Sequence, residues 1–410
     1  MPIFSLRAAA LAAAFAPCFV TAAPLTFESA LALAVQRSEA SRSARAGIES
    51  ATQSARAAGQ LPDPSLRVGV ENLPVTGSDR LHTTRDSMTM KRIGISQEWP
   101  STGKRAARQA AADASIQREM IALQAAVAEV RLQTALAYVD ALFASEALAL
   151  TAVTEHHAHE EWEVSRARLA SSTGGSQEAL ALDAARGMAA DETAEVLQQQ
   201  SVARLALQRW VGAPVDELSP VTALAEPTEA TYVAAHPRVA ALQRDLDLAR
   251  QTAAVAATNR QASWTWEVAY GQRTGYSDMV SVGVSIPLQL APAQRQDRET
   301  AARLALVEKA EADLTEAIRA ATAEYQSGVS DSLRLQERIA RYRTGVLAPT
   351  LQRTAATTAA YRSNQATLVT LFEARHAEVE AQRKLLALRR DLAKAQVQLA
   401  YRPLALGVTP

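Results

Sequence analysis

Residues 263–290 read SWTWEVAYGQRTGYSDMVSVGVSIPLQL. Trp264, Trp266, Val268 and Tyr270 share one side of an alternating pattern, with Thr265, Glu267, Ala269 and Gly271 on the other. Further on, Val280, Val282, Val284, Ile286 and Leu288 alternate with Ser281, Gly283, Ser285 and Gln289. A period of two puts successive side chains on opposite faces of a strand, so the stretch predicts two strands, 263–273 and 278–290, each apolar on one face. Length, alternation and aromatic content also match a strand that crosses a bilayer. A small soluble sheet packed on a helix alternates in the same way. The rest of the chain has to separate the two.

The pair has an earlier counterpart. At 65–72, Leu66, Val68 and Val70 alternate with Arg67, Gly69 and Glu71; a less regular run at 88–99 carries Met88, Met90, Ile93 and Ile95. Each pair sits in the same order of elements, repeated about 190 to 200 residues apart, the mark of an internal duplication. The first repeat, 24–212, holds a helix from 25 to 60, the breaker Pro62-Asp63-Pro64, the two strands, a long helix over 101–170, a turn at Ser171 to Ser176 and a helix over 177–212. A Pro-rich linker covers 213–228. The second repeat, 229–402, holds a helix from 229 to 260, the strands, a long helix over 293–361, a turn at Arg362 to Gln365 and a helix over 366–402, with a tail at 403–410.

The long helices carry a seam. Leu314, Ile318, Ala321, Tyr325, Gly328, Ser332, Leu335, Ile339, Tyr342 and Val346 advance by alternating fours and threes, as do Ile116, Met120, Leu123, Val127, Val130, Thr134, Ala137 and Ala141. That is the 3.5-residue period of a coiled coil. A helix of about 70 residues would reach on the order of 105 Å, and the flanking helices are about half as long, so two stacked end to end match one long one. Pro349 predicts a kink or break in the second long helix.

Composition bounds the compartment. Arg7 is the only charge before Glu28, and the apolar Ala8 to Val20 is followed by Thr21, Ala22 and Ala23. This predicts a secretory signal at 1–23, because an apolar core of about 13 residues falls short of the ~20 that span a membrane. Cys18, the only cysteine, lies inside it after Pro17, a poor setting for lipidation, so the mature chain has no thiol chemistry. The 43 basic and 43 acidic residues balance and leave no basic footprint for nucleic acid. Beyond the leader, the longest charge-free run is Met279 to Gln294, interrupted by Pro287 and Pro292. A membrane crossing would therefore use strands.

Four strands cannot close a barrel, and in a bilayer their edges would be left unpaired. Two chains supply eight strands and three supply twelve; eight leave an interior filled by side chains, so a tunnel favours three. The expected fold is mainly α with a small β part: duplicated long-helix coiled-coil hairpins plus two strand pairs, forming a trimeric α-barrel and a 12-stranded transmembrane β-barrel.

Four stretches carry a resemblance: Leu61-Pro-Asp-Pro-Ser-Leu-Arg-Val-Gly-Val-Glu-Asn-Leu-Pro74, Ile95-Ser-Gln-Glu-Trp-Pro-Ser-Thr-Gly-Lys-Arg105, Gly283-Val-Ser-Ile-Pro287 and the turn Tyr361-Arg-Ser-Asn364. Over nearly all of the mature chain the sequence resembles the TolC-like outer-membrane efflux proteins. The first two stretches are most similar to the heavy-metal branch, which serves pumps for cobalt, zinc and cadmium or for copper and silver. The resemblance implies a homotrimer in outer-membrane lipid, extending into the periplasm of a Gram-negative bacterium. Its partners would be a periplasmic adaptor (membrane fusion) protein and an inner-membrane pump of the resistance-nodulation-division type. It places the tips that meet the adaptor at Ser172, Gly174, Gly175, Ser363 and Asn364. The sequence departs from the family at Arg37-Ser38 and His236-Pro237, where Asn-Pro is frequent, and at Ala179 and Thr370, where an acidic residue often follows each tip. An exit duct for organic toxicants or drugs, and a periplasmic coiled-coil adaptor or scaffold, are the alternative readings.

Other chemistry is sparse. His156, His157, His159, Glu160, Glu161 and Glu163 form the one dense set of potential ligands. On a helix His156 and Glu160, and His159 and Glu163, share a face, giving two-ligand metal candidates, while a solvated polar face explains the same spacing. Gly174-Gly175 follows a helix and lacks a following Lys-Ser or Lys-Thr, so it predicts a turn and not a phosphate loop. With no nucleophile elbow or catalytic spacing, no enzyme and no cofactor are expected.

Overall fold

The computed structural model describes residues 24–215, 217–222 and 224–405. The expected leader with Arg7 and Cys18, and the tail beyond Ala405, lie outside them. In the first half α1 is Phe27–Arg37, α2 Glu39–Ala58, β1 Ser65–Glu71, β2 Met90–Trp99, α3 Thr102–Ala170 and α4 Ser176–Val211. The second half gives α5 Glu229–Ala234, α6 Pro237–Thr258, β3 Trp264–Gln272, β4 Met279–Ser285, α7 Gln296–Tyr342, a π-helical turn Arg343–Leu347, α8 Ala348–Arg362 and α9 Leu368–Tyr401.

Both short helical segments expected to be continuous are broken, and at matching places. Ser38 leaves helical geometry and caps α2, its hydroxyl accepting from Ser41 N at 3.1 Å. In the second half His236 takes the cap position and Pro237 the first helical position, where a missing N–H costs nothing. Capping also starts α3, with Ser101 Oγ accepting from Lys104 N at 3.2 Å, and α9, with Thr367 Oγ1 accepting from Thr370 N at 3.2 Å. The expected kink near Pro349 takes the form of the π turn directly before it. Proline cannot donate to the carbonyl of Gly345, and the wider turn accommodates that loss. β4 ends at Ser285 instead of 290, because Pro287 removes a ladder donor although the apolar alternation runs on. The second strand begins at Met90 instead of 88.

The two expected strand pairs are one antiparallel sheet in the order β1-β2-β3-β4. The join between the halves is β2 to β3, with Ile93 opposite Tyr270 and Trp99 opposite Trp264. The helices follow the same order. On the sheet side, α3 packs between α2 and α6, and α6 packs on α7; toward the turns, α3 packs between α4 and α9, and α9 against α7 and α8. The single chain is thus an open arc with α2 and α4 on one flank and α7 and α8 on the other. By length and composition α3 holds one window apolar enough to cross a membrane. Its Leu132, Ala135, Tyr138, Val139 and Ala141, however, belong to the largest core cluster with Phe27 and Leu31 of α1, Leu207 and Val211 of α4 and Val397 of α9. Tyr138 anchors the middle of this rod, its single hydroxyl proton shared between Leu25 O and Ser219 O, each 2.7 Å away.

Candidate functional site

The sheet presents two unlike faces. On one, cross-strand register lines up Val68, Ile93, Tyr270 and Val280 in one row and Leu66, Ile95, Val268 and Val282 in the next. All eight are exposed, Val68 by 73% and Val282 by 76%. Monomeric soluble proteins rarely expose an apolar patch spanning a whole sheet. Trp99, Trp264 and Trp266 share this face at the end nearest the helices, and Tyr270 lies toward the other end. Six residues separate Trp264 from Tyr270, about 20 Å at ~3.3 Å per residue, close to the apolar band between the aromatic girdles of membrane barrels.

The opposite face is small and charged. Gly69, Gly94, Ala269, Gly271, Ser281 and Gly283 keep it low. A Cβ at Gly94 would stand 2.7 Å from that of Ala269, so strand approach there requires glycine. Arg92 bridges Glu71 at 2.5 Å and Glu267 at 2.9 Å, and Arg67 reaches Glu267 at 3.4 Å. Polar side chains thus satisfy one another on a surface that would otherwise need water. β1 and β4 each have one unpaired edge among the described residues.

At the far end of the helices two turns close in the same way. Ser172 has a φ of 58° and Asn364 also 58°. Thr173 N and Gly174 N bond back to Arg168 O at 2.9 and 3.0 Å, and Gln365 N bonds back to Ala360 O at 2.8 Å. Asparagine visits the left-handed region readily; serine does so at greater cost. Ser172, Gly175, Ser363 and Asn364 are exposed and Gly174 half-buried. The turns lie side by side, since Leu182 of α4 is buried with Leu368 and Leu371 of α9.

Ion pairs tie the first hairpin to α9: Glu161 to Arg375 at 2.7 Å and Glu192 to Arg383 on the turn side, and Asp140 to Lys394 at 2.9 Å at the middle of the rod. Burial raises the Glu161 carboxyl above its ordinary value in spite of Arg375, which pulls it down. No local signal announces these pairs, whose first partners stand 214 residues apart in the chain.

The histidine cluster lies on the exposed side of α3. His156 Nε2 stands 3.3 Å from Glu160 Oε1, His157 Nδ1 3.4 Å from Glu160 Oε2, and His159 Nε2 3.5 Å from Glu163 Oε1. These are paired contacts; among the described residues no group of three His, Cys, Asp or Glu is placed to hold a metal. Glu161, adjacent in sequence, points to α9 instead.

This geometry, long paired helices carrying a sheet with one exposed apolar face at one end and two turns at the other, is the TolC-like fold seen in outer-membrane channels. The chain is similar to the outer membrane protein VceC of Vibrio cholerae, at 17% identity and a TM-score of 0.74, over 92% of this chain and 96% of that one. It is similar to the outer membrane channel CmeC of Campylobacter jejuni, at 13% identity and 0.77, over 93% and 87%. CusC, which forms a transmembrane channel, gives 14% and 0.73, over 92% and 91%. No protein-family model and no curated protein matches the sequence.

Proposed function

We propose that the protein is the outer-membrane duct of a tripartite efflux system, a passive exit channel built from three copies of the chain. The observation that carries this is the four-stranded sheet, with an exposed apolar face, a charged opposite face and two unpaired edges. Three copies joined β1 to β4 give twelve strands, enough to leave a bore. The helices support the same closure. α4 exposes Leu180, Met188, Leu197, Val202 and Leu205, and the run from α7 through the π turn to α8 exposes Leu304, Leu306, Leu333, Val346 and Leu351. A head-to-tail ring sets one flank against the other.

In this reading the apolar sheet face meets outer-membrane lipid and the helices extend into the periplasm. The turns around Ser172, Gly174, Gly175, Ser363 and Asn364 meet a periplasmic adaptor, with a resistance-nodulation-division pump behind it. Residues 1–23 direct export, and the two repeats, 24–212 and 229–402, joined by 213–228, each supply half of a protomer. A passive duct needs no catalytic step, and the likeness to solved channel structures supports a non-enzymatic role. Heavy-metal cations are the proposed cargo, supported by the sequence resemblance around Leu61 to Pro74 and Ile95 to Arg105. His156, His159, Glu160 and Glu163 would act at most as weak, paired contacts for such a cation.

Membrane fractionation tests the core of this. The protein is expected in the outer membrane as a heat-modifiable trimer in detergent; recovery as a soluble periplasmic monomer would instead favour an adaptor or scaffold. A deletion strain challenged with zinc, cobalt, cadmium, copper and silver is expected to lose resistance. Sensitivity confined to organic toxicants would reassign the cargo.

A further inference from the structure

We propose that Arg67 and Glu98 are the two charges on the bore face of the barrel that no tight ion pair clamps, forming oppositely charged collars that set its ion preference. The inference rests on the three-copy ring proposed above, in which the polar face of the sheet lines the bore.

The four charges grouped on that face are not equivalent. Arg92 lies between Gly69 and Gly271 on the neighbouring strands, so its guanidinium has room to lie along the wall. It is clamped there by Glu71 and Glu267, with its side chain only 29% exposed. Arg67 is different. Its side chain is 68% exposed, and its one acceptor, Glu267 at 3.4 Å, is already held by Arg92 at 2.9 Å. An exposed pair with that geometry contributes little, so the guanidinium stays available to passing ions.

Ring closure does not change this. The strand that a neighbouring copy sets beside β1 is β4, whose same face carries Met279, Ser281, Gly283 and Ser285 and no carboxylate. Glu98 shares this face of the sheet by alternation with Arg92 and Ser96, is exposed, and forms no ion pair among the described residues. Arg67 is opposite Gly94, four residues before Glu98 on β2, so the two levels stand about 13 Å apart at ~3.3 Å per residue. Three copies would make a carboxylate collar where the tunnel enters the barrel and a guanidinium collar above it. The separation exceeds the Debye length of about 8 Å at physiological salt, so each collar acts on ions in its own layer. Rings of charged side chains are a general means of ion selection in pores.

Reversal potentials in planar bilayers under a potassium chloride gradient test this, with purified full-length protein. Arg67→Gln is expected to raise the potassium-to-chloride permeability ratio at least about twofold and Glu98→Gln to lower it by a similar factor, with Arg67→Lys restoring the wild-type value. Unchanged ratios, or shifts of the same sign in both variants, would overturn the proposal. A wild-type protein that forms no conducting pore would overturn the channel reading and this inference with it. Conductance indifferent to both residues would overturn this inference alone.

Discussion

α3 and its counterpart in the second repeat, the run from α7 through the π turn to α8, occupy equivalent places and carry the same heptad steps, yet their surroundings differ. α3 is continuous for 69 residues and buries Leu132, Thr134, Ala135, Tyr138 and Val139 between helices on both sides. α7 buries only Ala317, Ala321 and Ser332, and α8 buries nothing. The second seam has a neighbour on one side and an open flank on the other. The seam itself is covered from within, Ala321 by Val239 and Gly328 by Leu399, so it is the apolar side chains on the open flank, Leu333 and Leu351 among them, that the proposed ring would cover.

The largest expected effect separates the buried seam of α3 from the open flank of α7. Val139→Asp puts a carboxylate into the core without a partner, a penalty of several kcal/mol that should abolish recovery of folded protein. Leu333→Glu, at a side chain 54% exposed in the single chain, should leave the helical circular dichroism intact and abolish the trimer in native mass spectrometry. A trimer that survives Leu333→Glu would break the comparison.

A middle-sized effect concerns the seam that joins the two halves. Arg375→Ala strands the buried Glu161 carboxylate and should cost about 3 kcal/mol, read as a lower thermal midpoint in detergent. Because burial raises the Glu161 carboxyl in the folded chain, the native state there binds more protons than the unfolded one. Its contribution is therefore most favourable at low pH and declines as pH rises above the ordinary glutamate value through the raised one. Removing Arg375 should push that window higher, and Glu161→Gln should remove its slope. A slope unchanged in Glu161→Gln would assign it to another group.

The smallest effect is expected at the irregularity itself. If Pro349 alone causes the π turn, Pro349→Ala should let α7 and α8 run on as one helix and raise the thermal midpoint by the equivalent of about 1 kcal/mol or less. A loss of stability would mean that packing, not proline, holds the turn open.

What the sequence revealed follows the range of the interactions. Local signals carried the strands, the long helices and the turns, because alternation, heptad steps and Gly or Asn in a gap are written within a few residues. Boundaries failed where one residue outweighed a pattern: Ile286 and Leu288 continue the alternation that Pro287 ends, and Ser38 interrupts a helix with only a hydroxyl to announce it. The joining of two strand pairs into one sheet was not legible, since Trp99 meets Trp264, 165 positions further along the chain. The same distance problem hid Glu161 with Arg375. On the polar sheet face the residue types could be read but not their inequality: Arg67 and Arg92 look alike until the neighbouring glycines and shared Glu267 are placed.

The two unlike edges of the sheet also bear on inheritance. In the proposed three-copy ring, a chain damaged only along β4 would still offer a sound β1, so it would join its companions and spoil what they build. If sound and damaged copies are made equally and drawn at random in threes, only about one ring in eight is wholly sound. Such a lesion behaves as dominant, whereas one that destroys the core of α3 removes its chain from the pool and leaves the rest to assemble undisturbed.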